Sequence, residues 1–574
     1  MKLDQKQKSA LIPVVSAVLV IAGGIVAYWL ISPKGRLSNA QTGANAIPQE
    51  AMMAISVSTN ADQWQKLGEF GTQESKKAFD ETIGEIRDRL LTNNGIEYEK
   101  DIKPWVGKEI TIAFLPPPAS QPNQVLPGPQ SVVMILPIDN QQQAKQTLEQ
   151  PKEPAGGKWV DRTYKGIKIK ETQGTPPDRT LSAAVLDGRF LTISNEPKAI
   201  DRAIDTYQGG YSLATTPGYT EALEQIKTTQ SFARIYFNVP VGAAYLSINS
   251  AQPIPEQNLA KLQKNWQGFA TTINLEPEGI LFKGISWLKP NSEQKLVVEN
   301  NSKIMPSRLP SDTLMMISGG NLQRLWQDYS QTADGSPIAP IKPEWLKTAI
   351  RTTTTLDLDK DLMTWMAGEF SLALIGTEQQ KTTENISVGL ALMIQSNDRR
   401  NAEKSFKQLD EILATKYKVK VSEAKIKEQP VTQLTSPLGG VNFFHGWLDG
   451  NVAFLTIGEA ATNAIVPKPD TAFASTKQFQ NFIPSGLTPN NGNFFIDIDR
   501  IFNQGKIPFL QLPPSQKTFM GAINSIGVTS AISSDRSTRY DLFINLKKQT
   551  TTPSAPTPQT TPTPNTNTTP SPQT

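Results

Sequence analysis

The chain has 574 residues, with 57 lysines and arginines against 53 acids, one histidine and no cysteine. A net charge of +4 over that length gives no field suited to coating nucleic acid. The missing thiols and the single imidazole close off thiolate nucleophiles, disulfides, zinc fingers, iron–sulfur clusters and paired-histidine metal sites.

Residues 11–31 form a run without a charge. As a helix at ~1.5 Å per residue it reaches ~31 Å, matching the ~30 Å hydrocarbon core of a bilayer. Tyr28 and Trp29 stand near one end, where amphipathic rings favour the interface. The run is longer than the ~7–15 apolar residues of a cleavable signal peptide. An uncleaved transmembrane helix is therefore expected, with membrane lipid as its partner. Lys2, Lys6 and Lys8 precede it and only Lys34 and Arg36 follow closely. The positive-inside rule then places residues 1–10 in the cytoplasm and the bulk of the chain outside it. Residues 32–46 are small and polar, which predicts a linker.

From there the elements follow in order. Residues 51–58 are an apolar run of strand length. In 74–91, Phe79, Ile83, Ile86 and Leu90 recur with the 3.6 period of an amphipathic helix. Residues 109–115 and 131–137 predict strands, with the proline-rich stretch 116–130 as a long surface loop between them. Residues 141–149 predict a helix. Ile167 and Ile169 alternate within 165–170. Residues 181–186 and 189–194 flank Asp187-Gly188, a hairpin signature. Helices are expected over 197–206 and 219–226, and strands over 232–239, 269–275 and 280–288.

The second part of the chain repeats the first. Residues 96–115 (IEYEKDIKPWVGKEITIAFL) align without a gap with residues 356–375 (LDLDKDLMTWMAGEFSLALI). Lys100/Lys360, Asp101/Asp361, Trp105/Trp365, Glu109/Glu369 and Ala113/Ala373 are identical. Leu186-Asp187-Gly188 likewise parallels Leu448-Asp449-Gly450, and Met52-Met53 parallels Met315-Met316. The offset is far longer than the ~20–50 residues of a solenoid repeat. Two homologous halves are predicted, 47–300 and 301–548. Each is an α+β unit with a largely antiparallel sheet and helices packed on it. The opening β-α-β-β-α-β order matches the split βαβ pattern. Residues 549–574 hold seven prolines among Thr, Ser, Gln and Asn and no charge, which predicts a disordered tail.

Few residues suggest chemistry. Asp357, Asp359 and Asp361 have the spacing that opens a calcium loop, but Leu362 occupies the glycine position and Gly368 the position of the closing glutamate. The first half has Glu97, Glu99 and Asp101 there. A structural role is expected instead: Asp101 and Asp361 cap a helical turn, Trp105 and Trp365 bury against the sheet, and the alternate acids face solvent. His445 is alone, and no Gly-x-Ser-x-Gly elbow accompanies it, so it reads as a strand residue and not a triad member. Asp497 and Asp499 alternate with Ile496 and Ile498, predicting exposed charges on one strand face. Gly156-Gly157-Lys158 lacks the spacing of a phosphate loop. No catalytic, cofactor-binding or metal-ligating residue is assigned, and no cofactor is expected.

The stretch from Glu99 to Glu109, reading EKDIKPWVGKE, resembles the hallmark of a cyanobacterial family of membrane-anchored proteins of unknown function (domain of unknown function, family 3352). The likeness covers most of 47–548 and includes the anchor. The second half departs from it, with Thr364 in place of Pro104 and Ala367 in place of Gly107. The resemblance implies a cyanobacterial envelope or thylakoid protein, facing periplasm or thylakoid lumen. It carries no catalytic residue. The function expected is a non-enzymatic, single-pass binding or scaffolding protein whose partner is another membrane or envelope protein, with no nucleic acid. Two alternatives stand beside it. One is a carboxylate-dependent hydrolase, which needs two convergent acids with separated pKa values. The other is a carrier of a lipid or hydrophobic ligand held between the halves.

Overall fold

The computed structural model describes residues 43–90, 96–117, 130–149, 157–175, 180–249, 253–333, 341–376, 388–437, 439–503 and 514–548. The predicted membrane segment 11–31, the tail 549–574 and most of the loop 116–130 lie outside those residues. Among the described residues no helix is long and apolar enough to cross a membrane.

The strands of the first half are β1 (Met53–Ser58), β2 (Glu109–Leu115), β3 (Ser131–Pro137), β4 (Lys158–Tyr164), β5 (Ile167–Gln173), β6 (Ser182–Leu186), β7 (Phe190–Ser194), β8 (Ala233–Asn238), β9 (Trp266–Glu276) and β10 (Gly279–Leu288). Those of the second are β11 (Thr313–Gly319), β12 (Phe370–Gly376), β13 (Val388–Gln395), β14 (Lys420–Ile426), β15 (Gln429–Thr435), β16 (Asn442–Leu448), β17 (Val452–Ile457), β18 (Gly492–Asp497), β19 (Ile523–Ser534) and β20 (Ser537–Leu546). Every ladder between them is antiparallel. The first set pairs in the order β4-β5-β6-β7-β3-β2-β1-β8-β9-β10. The second pairs in the order β14-β15-β16-β17-β13-β12-β11-β18-β19-β20. β10 joins β20, so the described strands make one continuous sheet with β4 and β14 at its two ends.

This order replaces the split βαβ arrangement, which would need parallel neighbours. β1 lies antiparallel to both β2 and β8. The helices Ala61–Leu67 and Gln73–Leu90 and the turn Tyr98–Ile102 carry the chain away and return it to the end it left. Ser58 is registered with Glu109, and the Thr59 amide donates to the Lys108 carbonyl at 2.8 Å to close the excursion.

Strand alternation gives the sheet two faces, both covered by helices. On one, Ile200 and Ile204 of the helix Pro197–Tyr207 and Tyr219 of the helix Tyr219–Gln225 join Ile135, Tyr236 and Trp287 of the sheet in one buried core. The matching core of the second half gathers Met393, Phe454, Phe473 and Phe495 beneath Glu459–Ile465 and Lys477–Phe482. On the other face, Trp64, Trp105, Met134 and Leu136 cluster in the first half, and Trp365, Phe370, Ile394 and Phe406 in the second. The first of these clusters reaches across the β10–β20 seam to Ile544, with Leu542 and Ile526 packed on it. Residues 44–46, read as the end of the linker, form a tight turn whose alanines are buried. The Asp187-Gly188 turn forms as its sequence requires, both residues taking positive φ between β6 and β7.

Candidate functional site

The two acidic stretches fold into the same single turn, Tyr98–Ile102 and Leu358–Leu362. In each, the last acid reaches back to the amide that begins the turn. Asp101 Oδ2 accepts from Glu97 N, and Asp361 Oδ2 from Asp357 N, both at 2.7 Å. Asp357 Oδ1 also accepts the amides of Asp359 and Lys360 at 3.0 Å. Glu97 pairs with Lys100 and Glu99 with Lys103, each at 2.6 Å. Asp359 does not simply face solvent: it accepts from Trp326 Nε1 at 2.7 Å and lies 2.9 Å from Lys347 Nζ. Partial burial opposes its ionisation, but those two donors outweigh burial and hold its carboxyl below the usual aspartate range. The acids serve their own backbone and neighbouring lysines. Among the described residues no group of three or more acids and histidines is arranged to hold a metal ion.

Trp105 and Trp365 each show 1 % of their surface. Trp105 Nε1 donates to the Asp101 carbonyl at 2.6 Å, whereas Trp365 Nε1 has no hydrogen-bond partner among the described residues. The glutamates that follow are buried as well. Glu109 lies 3.6 Å from Arg234 of β8. Glu369 Oε1 instead accepts the amides of Lys303, Ile304 and Met305 at 2.8, 2.7 and 2.9 Å.

His445 sits buried on β16. Its ring stacks on Phe406 at 4.6 Å, and its Nε2 lies 2.9 Å from Asp410 Oδ1. Phe406 and Asp410 are one helical turn apart on Arg399–Tyr417, so the imidazole fastens that helix to the sheet. Asp497 is not an exposed charge. It is 4 % exposed, accepts from Gln478 Nε2 at 2.8 Å, and caps the turn after β18 through the Arg500 amide at 2.9 Å. Asp499 has left the strand for that turn and pairs with Lys547 at 2.7 Å. The alternation with isoleucine ends at Asp497 because β18 ends there.

The space that sequence reasoning left open, between the two halves, contains a cleft of ≈ 420 Å³. The β9–β10 turn, with Glu276, Pro277 and Glu278, forms one wall, and residues 480–486 form the other. Leu281, Lys283, Asp541 and Phe543 make the floor. Phe482 stacks on Phe543 at 6.1 Å, and Thr529 Oγ1 donates to the Pro484 carbonyl at 2.5 Å, which pins the second wall to β19. Asp541 is 2 % exposed. Its Oδ1 lies 3.6 Å from Arg539 but has no hydrogen-bond partner among the described residues. Burial pushes its pKa up, against the pull of the Arg539 and Lys283 cations. A floor of two apolar residues, a lysine and a poorly satisfied carboxylate, with two acids at the rim, suits an amphipathic ligand with a polar, hydrogen-bonding end. Sequence reasoning missed this site, although a signal was present: a lone lysine inside ILFKGISWL and a lone aspartate inside YDLFINL.

Among families, a model described as "Protein of unknown function (DUF3352)" matches residues 14–546. No curated protein matches. Solved structures of crystal forms III, I and IV of TP0453 are similar at 9, 9 and 10 % identity, with TM-scores of 0.24, 0.23 and 0.24. They cover 45, 44 and 45 % of this chain and 84, 81 and 88 % of the other. At that level the likeness carries no argument about function.

Proposed function

The chain belongs to the DUF3352 family of proteins of unknown function, and we propose that it is a non-enzymatic, membrane-anchored binding module. In this reading residues 11–31 cross the membrane. Two duplicated α+β halves stand outside the cytoplasm, in a cyanobacterial periplasm or thylakoid lumen. The duplication reading is supported by the matching strand orders and by the paired turns around Trp105 and Trp365. The observation that carries the binding reading is the cleft over the β10–β20 seam, where Asp541 and Lys283 lie beside the apolar Leu281 and Phe543. Its lining favours an amphiphile, such as a lipid or another hydrophobic ligand with a polar end. The hydrolase reading is weakened because the acids and the histidine nominated for it are engaged in caps, ion pairs and stacking.

The test is purification of the full chain in mild detergent, followed by mass spectrometry of what remains bound. A stoichiometric amphiphile is expected in the wild type, and it should be lost in Leu281→Glu, a half-buried floor position. A wild-type preparation free of any bound lipid or protein partner would sink the proposal.

A further inference from the structure

The β9–β10 hairpin begins with Gly279 paired to Glu276, and the β19–β20 hairpin begins near Ser537 paired to Ser534. Counted from those turns, Lys283 and Asp541 occupy the same place in their strands. They are also register partners of each other across the seam. The remaining seam pairs join unlike places; Gly279, for example, faces Asn545. Lys283 and Asp541 therefore mark the point about which β10 and β20 interchange. Their neighbours on the outer strands correspond too, Thr272 on β9 beside Lys283 and Thr529 on β19 beside Asp541.

A seam between two like strands would place the central residue against itself. Two copies of β10 would set Lys283 against Lys283, with Leu281, Ile285 and Thr272 of β9 on the same face nearby and no acid among them. Two copies of β20 would set Asp541 against Asp541, in surroundings that already disfavour one charged carboxylate and are relieved only by Arg539. Directly opposed like charges disfavour a strand pair, and opposite charges favour it.

We propose that Lys283 and Asp541 form a pairing code that makes the seam an interface selective for unlike halves. The partner that fits β10 is β20, from the same chain or from a second copy that exchanges halves, and never another β10. This inference rests on the duplication reading but not on any ligand. The rest of the seam is permissive, since its apolar face (Phe282, Leu542, Ile544) is non-directional. The charged centre is what distinguishes partners.

The experiment uses the full chain with a protease site between Val297 and Val298, in the exposed connector between the halves, where these residues are 38 % and 54 % exposed. After cutting, the protein is mixed with an isotopically heavy cut copy, and fragment exchange is followed by native mass spectrometry. Only unlike pairs are expected from the wild type. Lys283→Asp should speed exchange by about tenfold or more, Lys283→Gln should allow pairs of first halves to appear, and Lys283→Asp with Asp541→Lys should be slower than Lys283→Asp alone. The same variants, uncut, are compared in urea titrations, so that coupling between positions 283 and 541 is read even where fragments do not separate. Like pairs in the wild type, or no rescue by the charge swap in both measurements, would overturn the proposal. Neither readout depends on the cleft being occupied.

Discussion

The turns before β2 and β12 share a backbone shape, an acid that hooks back to the first amide, and a buried tryptophan. They differ in how the buried glutamate four residues further on is satisfied. The first half gives Glu109 a side-chain partner, Arg234 of β8. The second has Asn493 opposite Ser318 where the first has Arg234 opposite Ser56, and it turns the amides of residues 303–305 onto Glu369 instead. One solution can be deleted as a side-chain pair; the other would need proline at three successive positions, since only proline lacks the backbone N–H. A buried charge needs partners, but the fold is indifferent to whether side chain or main chain supplies them.

The largest effects should come from breaking that contrast. Glu369→Ala leaves three amides without their acceptor and should cost about 3–5 kcal/mol in urea titration. Arg234→Met should cost a similar amount, about 3–5 kcal/mol, by removing the cation beside Glu109, yet Glu109→Gln with Arg234→Met should recover to within about 1–2 kcal/mol of wild type. If the double variant is no better than Arg234→Met, the pair does not neutralise Glu109 as described.

A smaller difference sharpens the comparison of the tryptophans. Trp105→Phe loses the bond to the Asp101 carbonyl and should cost about 1 kcal/mol more than Trp365→Phe, whose indole donates to nothing among the described residues. Equal melting shifts for the two variants would contradict this.

The weakest effects are pH slopes of opposite sign. Asp541 has a raised pKa in the fold, so the native state holds its proton longer than the unfolded chain does. As pH rises from about 4 through that raised value, the wild type should lose stability relative to Asp541→Asn. Asp359 has a lowered pKa. Its contribution should be full above about 4 and fade as pH falls through the lowered value, so Asp359→Asn should flatten the acid limb. Thermal melts across pH 3–8 would read both, and slopes of the same sign would count against the burial assignments.

Much of the strand content was legible because it is periodic. Within 165–170 the alternation of Ile167 and Ile169 falls in β5, although Lys165 and Gly166 make the turn before it; the β2 and β12 runs are apolar, and Asp187-Gly188 announces its hairpin. β4 was not legible: it is an end strand whose outward residues are charged, so its alternation carries little apolar contrast. The helices Val239–Ile248 and Glu256–Asn265 were hidden because the first follows β8 without a break. Only Asn238, whose side chain accepts from Val241 N at 3.3 Å, marks the change. The caps around Asp101 and Asp361 were readable, since capping is local. The roles of Asp497, Asp541 and His445 were not. Each depends on residues brought from elsewhere in the chain, and strand order is a property of long-range pairing that no local pattern encodes.

Gly43 and the end of β20 are both seated on the first half. Gly43 sits over Ile135 of β3, and Lys548 bridges to Phe70 while Lys547 accepts from the Gly71 amide. Tension applied between Gly43 and Lys548 would load the second half chiefly through β20. It would drag β20 lengthwise between β10 and β19, against backbone ladders on both flanks. Sliding of that kind must break many hydrogen bonds together, not one after another. A sheet closed this way would resist mechanical load along its strands.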